Sequence, residues 1–149
     1  MEVIWANKGT PLHGPLGEFA SVRIFGKPNA FEDYTAMGVA NSEGTIVASV
    51  VFYDYSADAG VMQMSGAADT PKWLTKDTLR EMFAFPFDQV GCQSVVMRCA
   101  VDDKRMGRML PAVGFKKFIL PRLRGKNEDE AVYVLHDDVW RSSPFMEGK

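Results

Sequence analysis

Several features that would mark a specialised class of protein are scarce in this chain of 149 residues. Only two cysteines are present, Cys92 and Cys99, which is too few for a disulfide framework or a zinc site. Both are therefore interpreted as small buried hydrophobic side chains. No apolar run approaches the roughly 18 residues of a membrane span, and the N-terminus lacks a basic segment followed by an apolar stretch. A cytoplasmic protein with no membrane partner is predicted.

The charge balance is also unremarkable, because 17 basic and 19 acidic residues leave a net charge of -2. This argues against nucleic acid as a partner. The two histidines, His13 and His136, belong to no recognisable catalytic triad or metal-ligand spacing, so no metal site is expected. No repeat, low-complexity tract or Pro/Ser linker divides the chain. One domain over residues 1–149 is predicted, with its core at about 11–140 and a C-terminal tail at 141–149.

Hydrophobic patterns in the first half predict a helix followed by three strands. Residues 1–6 could add a short strand or stay loose. The helix is predicted over 11–25, where Leu12, Leu16, Phe19 and Val22 recur at helical spacing. Two β-rich runs at 34–40 and 45–55, joined by an Asn-Ser-Glu-Gly turn, predict a hairpin. The run 61–67 then completes an antiparallel meander.

The second half alternates helices and strands. A helix is predicted over 75–88 with a buried stripe, and Pro86 should kink or end it. A short buried strand (94–100), a helix (104–113) and a final hairpin (116–123 with 131–136) follow, and residues 138–149 are predicted to be mostly tail. The predicted fold class is α+β, a mostly antiparallel central sheet with helices on its faces. The predicted helical stripe consists of Leu79, Met82, Phe83 and Phe87.

The most informative stretch is 60–115, where a strand turns directly into a helix start and a second strand and helix follow. Backbone N–H groups converge at such a helix start and favour a phosphate. Strand ends that meet in this way are also common ligand sites. The stretch therefore predicts a phosphate-bearing cofactor.

The order of elements, together with three segments, resembles the GCN5-related N-acetyltransferase (GNAT) superfamily. The segments are Pro-Lys-Trp-Leu-Thr at 71–75, Phe-Pro-Phe-Asp-Gln-Val-Gly at 85–91, and the helix from Asp103 to a closing Gly-Phe at 114–115. The resemblance is nearest to the ribosomal-protein alanine acetyltransferase branch and to GNAT-like proteins of bacteriophages and prophages. It covers about 11–140.

This resemblance implies acetyl-CoA as the cofactor and assigns residues to it. The fourth family strand borders the pantetheine arm, the following turn wraps the pyrophosphate, and the next helix reaches the adenosine phosphates. Asp103 stands where the family usually has Asn at the start of that helix. The implied cofactor residues are Met64, Ser65 and Gly66 for the pantetheine arm, Lys72, Trp73, Leu74, Thr75 and Lys76 for the pyrophosphate, and Asp103, Arg105 and Arg108 at the helix that reaches the adenosine phosphates.

Two departures from the family pattern bear on catalysis. The glycine-rich phosphate loop is absent, and Trp73, Leu74 and Thr75 stand in place of its glycines, although glycine allows the closest backbone approach to phosphate. The tyrosine that many members use as general acid is Leu110 here. The first departure bears on cofactor affinity and the second on catalysis, and together they make cofactor binding a stronger expectation than efficient turnover.

Acetyl transfer to an amine needs a proton acceptor or relay and hydrogen-bond donors to the carbonyl oxygen. Ser65 is a candidate for relaying a proton or holding a water, or it is a plain strand serine. Asp69 is a candidate base, or a turn residue. Tyr53 and its neighbour Asp54 end the third strand near the expected acceptor entrance, or are hairpin-edge residues. The charged tip at 122–130 is a solvated turn or an acceptor-recognition loop.

The leading hypothesis is an acetyl-CoA-dependent N-acyltransferase that transfers an acetyl group to a primary amine by direct attack. The acceptor amine could be a protein N-terminus, a lysine or a small amine. The alternative is a non-catalytic GNAT-fold binding or interaction protein, and a third interpretation is a structural domain without a cofactor. The final hairpin and the Met-rich fourth strand leave room for a homodimer.

Overall fold

Seven strands form a single mixed sheet in the computed structural model, which describes residues 1–146. The strand order across the sheet is β1-β2-β3-β4-β5-β7-β6, and every neighbouring pair is antiparallel except β4 with β5. The strands are β1 (Glu2–Ala6), β2 (Tyr34–Ala40), β3 (Ile46–Ser56), β4 (Val61–Ala68), β5 (Ser94–Ala100), β6 (Lys116–Gly125) and β7 (Glu128–His136).

Within residues 1–146, four α-helices connect or flank these strands: α1 (His13–Phe25), α2 (Lys76–Ala84), α3 (Lys104–Val113) and α4 (Asp137–Arg141). The predicted α+β class is confirmed, as are the three-stranded meander and the position of each predicted strand. Of residues 1–6, Glu2–Ala6 form the strand β1, which pairs with β2 at the edge of the sheet. None of the helices among residues 1–146 has the length and apolar character needed to cross a membrane.

Buried side chains form two clusters on opposite faces of the sheet. Helix α1 packs against β2, β3 and β4 and buries a small cluster around Leu16, Ala20 and Val51. The larger cluster lies on the other face and includes the predicted stripe of α2 as well as Trp140 of α4. The buried face of α1 differs from the predicted one, because Leu12 and Val22 are exposed and small residues let the helix approach the sheet closely.

The helix predicted over 75–88 is shorter than expected. It begins after the N-cap Thr75 and ends at Ala84, and a π-helical turn (Phe85–Val90) follows. Pro86 explains this change, because it has no N–H for an α-helical bond. Its carbonyl instead accepts from the N–H groups of Gly91 and Cys92, and Gly91 ends the turn at φ 87°.

The predicted C-terminal tail was wrong for the residues that the structure describes. Residues 137–141 form α4, whose Trp140 is only 1% exposed, and a 3₁₀ turn (Pro144–Met146) follows. The indole ring of Trp140 packs 4.6 Å from the ring of Phe83, between ring centroids. The remaining predicted tail, residues 147–149, lies outside the described residues.

Candidate functional site

Strands β4 and β5 separate soon after they meet. Their parallel pairing covers only three residues on each strand and ends at the pair Gln63–Val96. Strand β4 nevertheless continues to Ala68, and β5 continues to Ala100. Because the far edges of both strands stay paired with β3 and β7, the gap opens inside the sheet rather than at its border.

The backbone groups that face this gap follow from the register of β4. The Asp69 N–H donates to the Val47 carbonyl at 2.8 Å, which makes this a hydrogen-bonded pair of the β3–β4 ladder. Such pairs alternate along antiparallel strands. The N–H and C=O groups of Met64, Gly66 and Ala68 therefore point away from β3 and into the gap.

A cavity of about 690 Å³ occupies the gap and extends between α2 and α3. This volume lies within the range of small-molecule sites. Seven of the residues predicted for the site line it: Tyr53, Ser65, Gly66, Trp73, Leu74, Asp103 and Arg105. Predicted residues that do not line it are Met64, Asp69, Lys72, Thr75, Lys76 and Arg108.

Tyr53 and Ser65 form a hydrogen-bonded pair at the mouth of the gap. The Tyr53 Oη and Ser65 Oγ atoms lie 2.8 Å apart, because the β3–β4 register places both side chains on the same face of the sheet. Burial raises the pKa of Tyr53, and the bond to Ser65 offsets part of that effect. The phenol is therefore neutral at physiological pH and can donate a proton but not remove one.

Asp69 is held by another side chain. Both of its carboxylate oxygens accept from Arg23, at 2.8 Å from Nε and 2.9 Å from Nη2. These hydrogen bonds lower the pKa of Asp69. The pairing disfavours the predicted role as general base, since a carboxylate that is already paired and less basic is a poor proton acceptor.

Internal hydrogen bonds already use part of the turn between β4 and α2. After the 3₁₀ turn (Pro71–Trp73), the Leu74 N–H donates to Pro71 and the Thr75 N–H donates to Thr78 Oγ1. Thr75 in turn accepts from the Thr78 N–H, which completes a capping box. The N–H groups of the first two residues of α2, from Lys76 onward, have no intrahelical partner and stay available.

Trp73 lies in the turn between β4 and α2 and lines the large cavity. Its side chain is only 6% exposed, yet its indole Nε1 has no hydrogen-bond partner within residues 1–146. Trp73 and Leu74 also line a second cavity of about 280 Å³, together with Arg105 and Arg108 of α3. The two cavities therefore meet at this turn.

Asp103 serves a structural role at the start of α3. Its carboxylate caps the helix by accepting from the Met106 N–H at 3.1 Å. Among residues 1–146, neither Arg105 nor Arg108 takes part in an ion pair. This end of α3 therefore presents positive charge to both cavities, although Asp103 lies beside it.

Arg124 and Glu130 belong to the charged tip at 122–130 that was one candidate for acceptor recognition, whereas Arg98 was missed in the sequence. Glu130 of β7 is only 5% exposed and lines the large cavity, where its carboxylate binds Arg98 of β5 and Arg124 of β6. The sequence signal was weak, since Glu130 is the last of three consecutive acidic residues. Only the β5–β7 register shows which of the three points inward.

Comparison with solved structures shows which fold this arrangement belongs to. The spermidine/spermine N-acetyltransferase SpeG from Vibrio cholerae, solved in mutant forms, matches with a TM-score of 0.71 at 10% identity. That match covers 95% of this chain and 100% of the other. A GCN5-related N-acetyltransferase from Brucella melitensis matches with a TM-score of 0.69 at 15% identity, covering 94% of this chain and 78% of that one.

A third structure, described as a probable acetyltransferase, matches with a TM-score of 0.59 at 12% identity. It covers 72% of this chain, and this chain covers 63% of that protein. No protein-family model and no curated protein sequence matches the chain. At such low identities the likeness is one of fold, and the chain has the fold of the GNAT acetyltransferases.

Proposed function

We propose that the protein is an acetyl-CoA-dependent N-acyltransferase that transfers an acetyl group to a primary amine by direct attack. The observation that carries this proposal is the gap between β4 and β5. It exposes unpaired backbone amides beside a cavity of suitable size and ends at the Tyr53–Ser65 pair. The shared fold with acetyltransferases supports the same activity.

The residues present fit acetyl-CoA on three counts. The backbone groups of Met64, Gly66 and Ala68 suit the amide-rich pantetheine arm, which can pair with a strand edge. The buried Nε1 of Trp73 is a donor without a protein partner among residues 1–146, at the junction of the two cavities. Beyond it, Arg105 and Arg108 supply positive charge for phosphates.

The chemistry requires little more than positioning and proton handling. Acetyl-CoA supplies an activated thioester carbonyl, so correct placement of the amine provides much of the rate. Ser65 Oγ can relay the proton of the acceptor ammonium, since a hydroxyl that accepts this proton passes its own to a water of the cavity and from there to solvent. Tyr53 Oη stays protonated and donates a hydrogen bond to Ser65 or to an oxygen that gains negative charge.

The alternative proposal is a GNAT-fold protein that binds a ligand or partner without turnover. The specific observation in its favour is the bulk of Trp73 and Leu74 at the turn where the family has glycines. Leu110, in place of the family's tyrosine acid, is 3% exposed and packs into the core. Neither feature closes the cavity.

Calorimetric titration separates these proposals at the binding step. Acetyl-CoA should bind with micromolar affinity, while dephospho-CoA and adenosine diphosphate bind more weakly because they lack a phosphate or the pantetheine arm. Replacing Arg105 and Arg108 together by Gln should weaken acetyl-CoA binding by about tenfold or more. The matched double variant of Lys72 and Lys76, which line neither cavity, should change it by less. Absence of acetyl-CoA binding would refute the cofactor site.

Release of free CoA thiol in the presence of amines tests turnover. Ser65→Ala and Tyr53→Phe should each lower kcat by about tenfold to a hundredfold with little change in acetyl-CoA affinity, because the removed hydroxyl acts on protons. Tyr55→Phe is the matched control, since it removes a hydroxyl from the same strand at a residue that is 49% exposed and lines neither cavity. Acetyl-CoA binding without acceptor-dependent thiol release would favour the non-catalytic alternative.

A further inference from the structure

Glu130 is a buried carboxylate that the proposed acetyl transfer does not use. Its Oε1 lies 3.1 Å from Arg98 Nε, and its Oε2 lies 2.8 Å from Arg124 Nη1. The three side chains come from three adjacent strands, and we call them the Glu130 cluster. One carboxylate between two guanidinium groups leaves the cluster with one unit of net positive charge.

The cluster lies on the acceptor side of the gap. Arg98 follows the last β4–β5 pair, so it belongs to the separated part of β5. All three residues line the large cavity together with Tyr53 and Ser65. Burial has the largest effect on the pKa of Tyr53, followed by the hydrogen bond to Ser65. The charges of Asp54, Arg98 and Glu130 act on it as well, so the cluster lies close to the proposed reacting groups.

Both arginines keep binding capacity after they bind Glu130. Each guanidinium carries five N–H donors, and Glu130 contacts one nitrogen of each. The Arg98 and Arg124 side chains are 38% and 36% exposed, whereas that of Glu130 is 7% exposed. The positive groups of the cluster therefore face the cavity, and the negative group is covered by them.

Among residues 1–146, no further unpaired acidic side chain lines the cavity to offset this charge. Within residues 1–146, the acidic residues that line it are Glu130, which is paired on both oxygens, and Asp103, which caps α3. The nearby Arg23 lines the cavity as well, and its own partner Asp69 does not. A polyamine would meet arginines here and no free carboxylate, and like charges at close range oppose binding.

From this geometry we infer that the acceptor is an amine that carries a carboxylate, which the Glu130 cluster binds through Arg98 and Arg124. The acceptor amine then lies toward Tyr53 and Ser65. This inference rests on the proposed acyltransferase function and names its substrate class. The carboxylate can belong to an acidic peptide or to a small amino acid, and the cluster's chemistry is the same for both.

Binding and transfer assays with matched acceptors test the inference on the full chain. A fluorescent Ala-Glu-Asp-Ala-Ala peptide should bind at least tenfold more tightly than Ala-Lys-Arg-Ala-Ala in anisotropy titrations. In thiol-release assays, the acidic peptide or glutamate should be acetylated faster than the basic peptide and spermidine. Equal or greater use of the basic peptide or spermidine would overturn the inference while leaving acetyl transfer intact. Acidic-peptide binding without any transfer would uphold the anion site and refute the proposed function.

Two variants with opposite expected effects separate recognition from structural damage. Arg124→Gln should weaken acidic-peptide binding by about tenfold, because one charged donor is lost. Glu130→Gln should strengthen it by severalfold, because the cluster then carries two net positive charges. Damage to the fold cannot produce the second result.

Lys116→Gln is the matched control, since it removes one positive charge from β6, the strand of Arg124, at a position outside the cavity. Its affinity for the acidic peptide should stay within about twofold of the wild-type value. Arg98→Gln replaces Arg124→Gln if the latter does not fold, which thermal melting shows. Weaker acidic-peptide binding in Glu130→Gln would overturn the inference, because Glu130 itself would then be the acceptor-binding group.

Discussion

Trp73→Phe is the substitution that best distinguishes a cofactor-binding residue from a core residue. The Trp73 ring is buried, but its Nε1 donor has no partner within residues 1–146. A buried donor left unpaired costs about 1–3 kcal/mol of folding free energy. Phenylalanine removes that cost while losing about 1 kcal/mol of apolar burial from the smaller ring. The two effects nearly cancel.

The free energy of unfolding of the unliganded variant should therefore lie within about 1–2 kcal/mol of the wild-type value, which corresponds to a change in Tm of roughly 8 °C or less for a chain of this size. Its affinity for acetyl-CoA should fall by about tenfold, because the cofactor loses one hydrogen-bond donor. Thermal melts without ligand and calorimetric titrations with acetyl-CoA measure the two quantities separately. The Tm should change little, whereas the affinity for acetyl-CoA should fall.

Trp140→Phe provides the matched control. Trp140 is 1% exposed, packs against Phe83 and lines neither cavity, so its replacement should lower the Tm and leave acetyl-CoA affinity unchanged. If Trp73→Phe behaves like this control, with a clear loss of stability and an unchanged Kd, Trp73 is a core residue and its assignment to the cofactor is refuted.

Two further predictions test the surroundings of the site and the packing of α1. Burial and the nearby charge of Asp103 raise the pKa of Cys99 to about 11, so its alkylation by iodoacetamide at pH 8 should be about a hundredfold slower than in the unfolded chain; a rate within tenfold of the unfolded chain, measured by mass spectrometry, would contradict this. Gly17→Ala should lower the free energy of unfolding by about 1–3 kcal/mol, because the added Cβ would overlap the Tyr34 hydroxyl. The matched Gly14→Ala in the same helix meets no atom within 4 Å and should be neutral or stabilising in the same denaturant titration.

Elements with strong local signals were predicted almost to the residue. Strands β2 and β5 and helix α3 have the predicted bounds, because turn residues or a capping residue mark their ends. Helix α4 was missed because it is only five residues long and is held by burial of Trp140, which no local pattern reveals. The π-helical turn was also missed, although Pro86 indicated the break.

Some residues of the candidate site come together through contacts that are close in sequence, and others through contacts that are distant. Ser65 and Tyr53 were each named from the sequence, and the register of one hairpin brings them together. The partner of Asp69 is 46 residues away, at Arg23, so the sequence could not show that its carboxylate is occupied. Glu130 depends likewise on how β5, β6 and β7 align.

The short β4–β5 junction also has a consequence for how the molecule assembles and opens. Residues 1–68 complete one set of antiparallel ladders, residues 94–136 complete another, and three residue pairs join them. The two halves of the sheet are therefore held together mainly by the side-chain core that they share, to which α2 and α3 contribute. Amide hydrogen exchange should record this as two units that open separately, with the protons of Met62 and Val96 exchanging before those in the middle of β3. The seam that borders the large cavity is thus also the line along which the two halves of the sheet should separate.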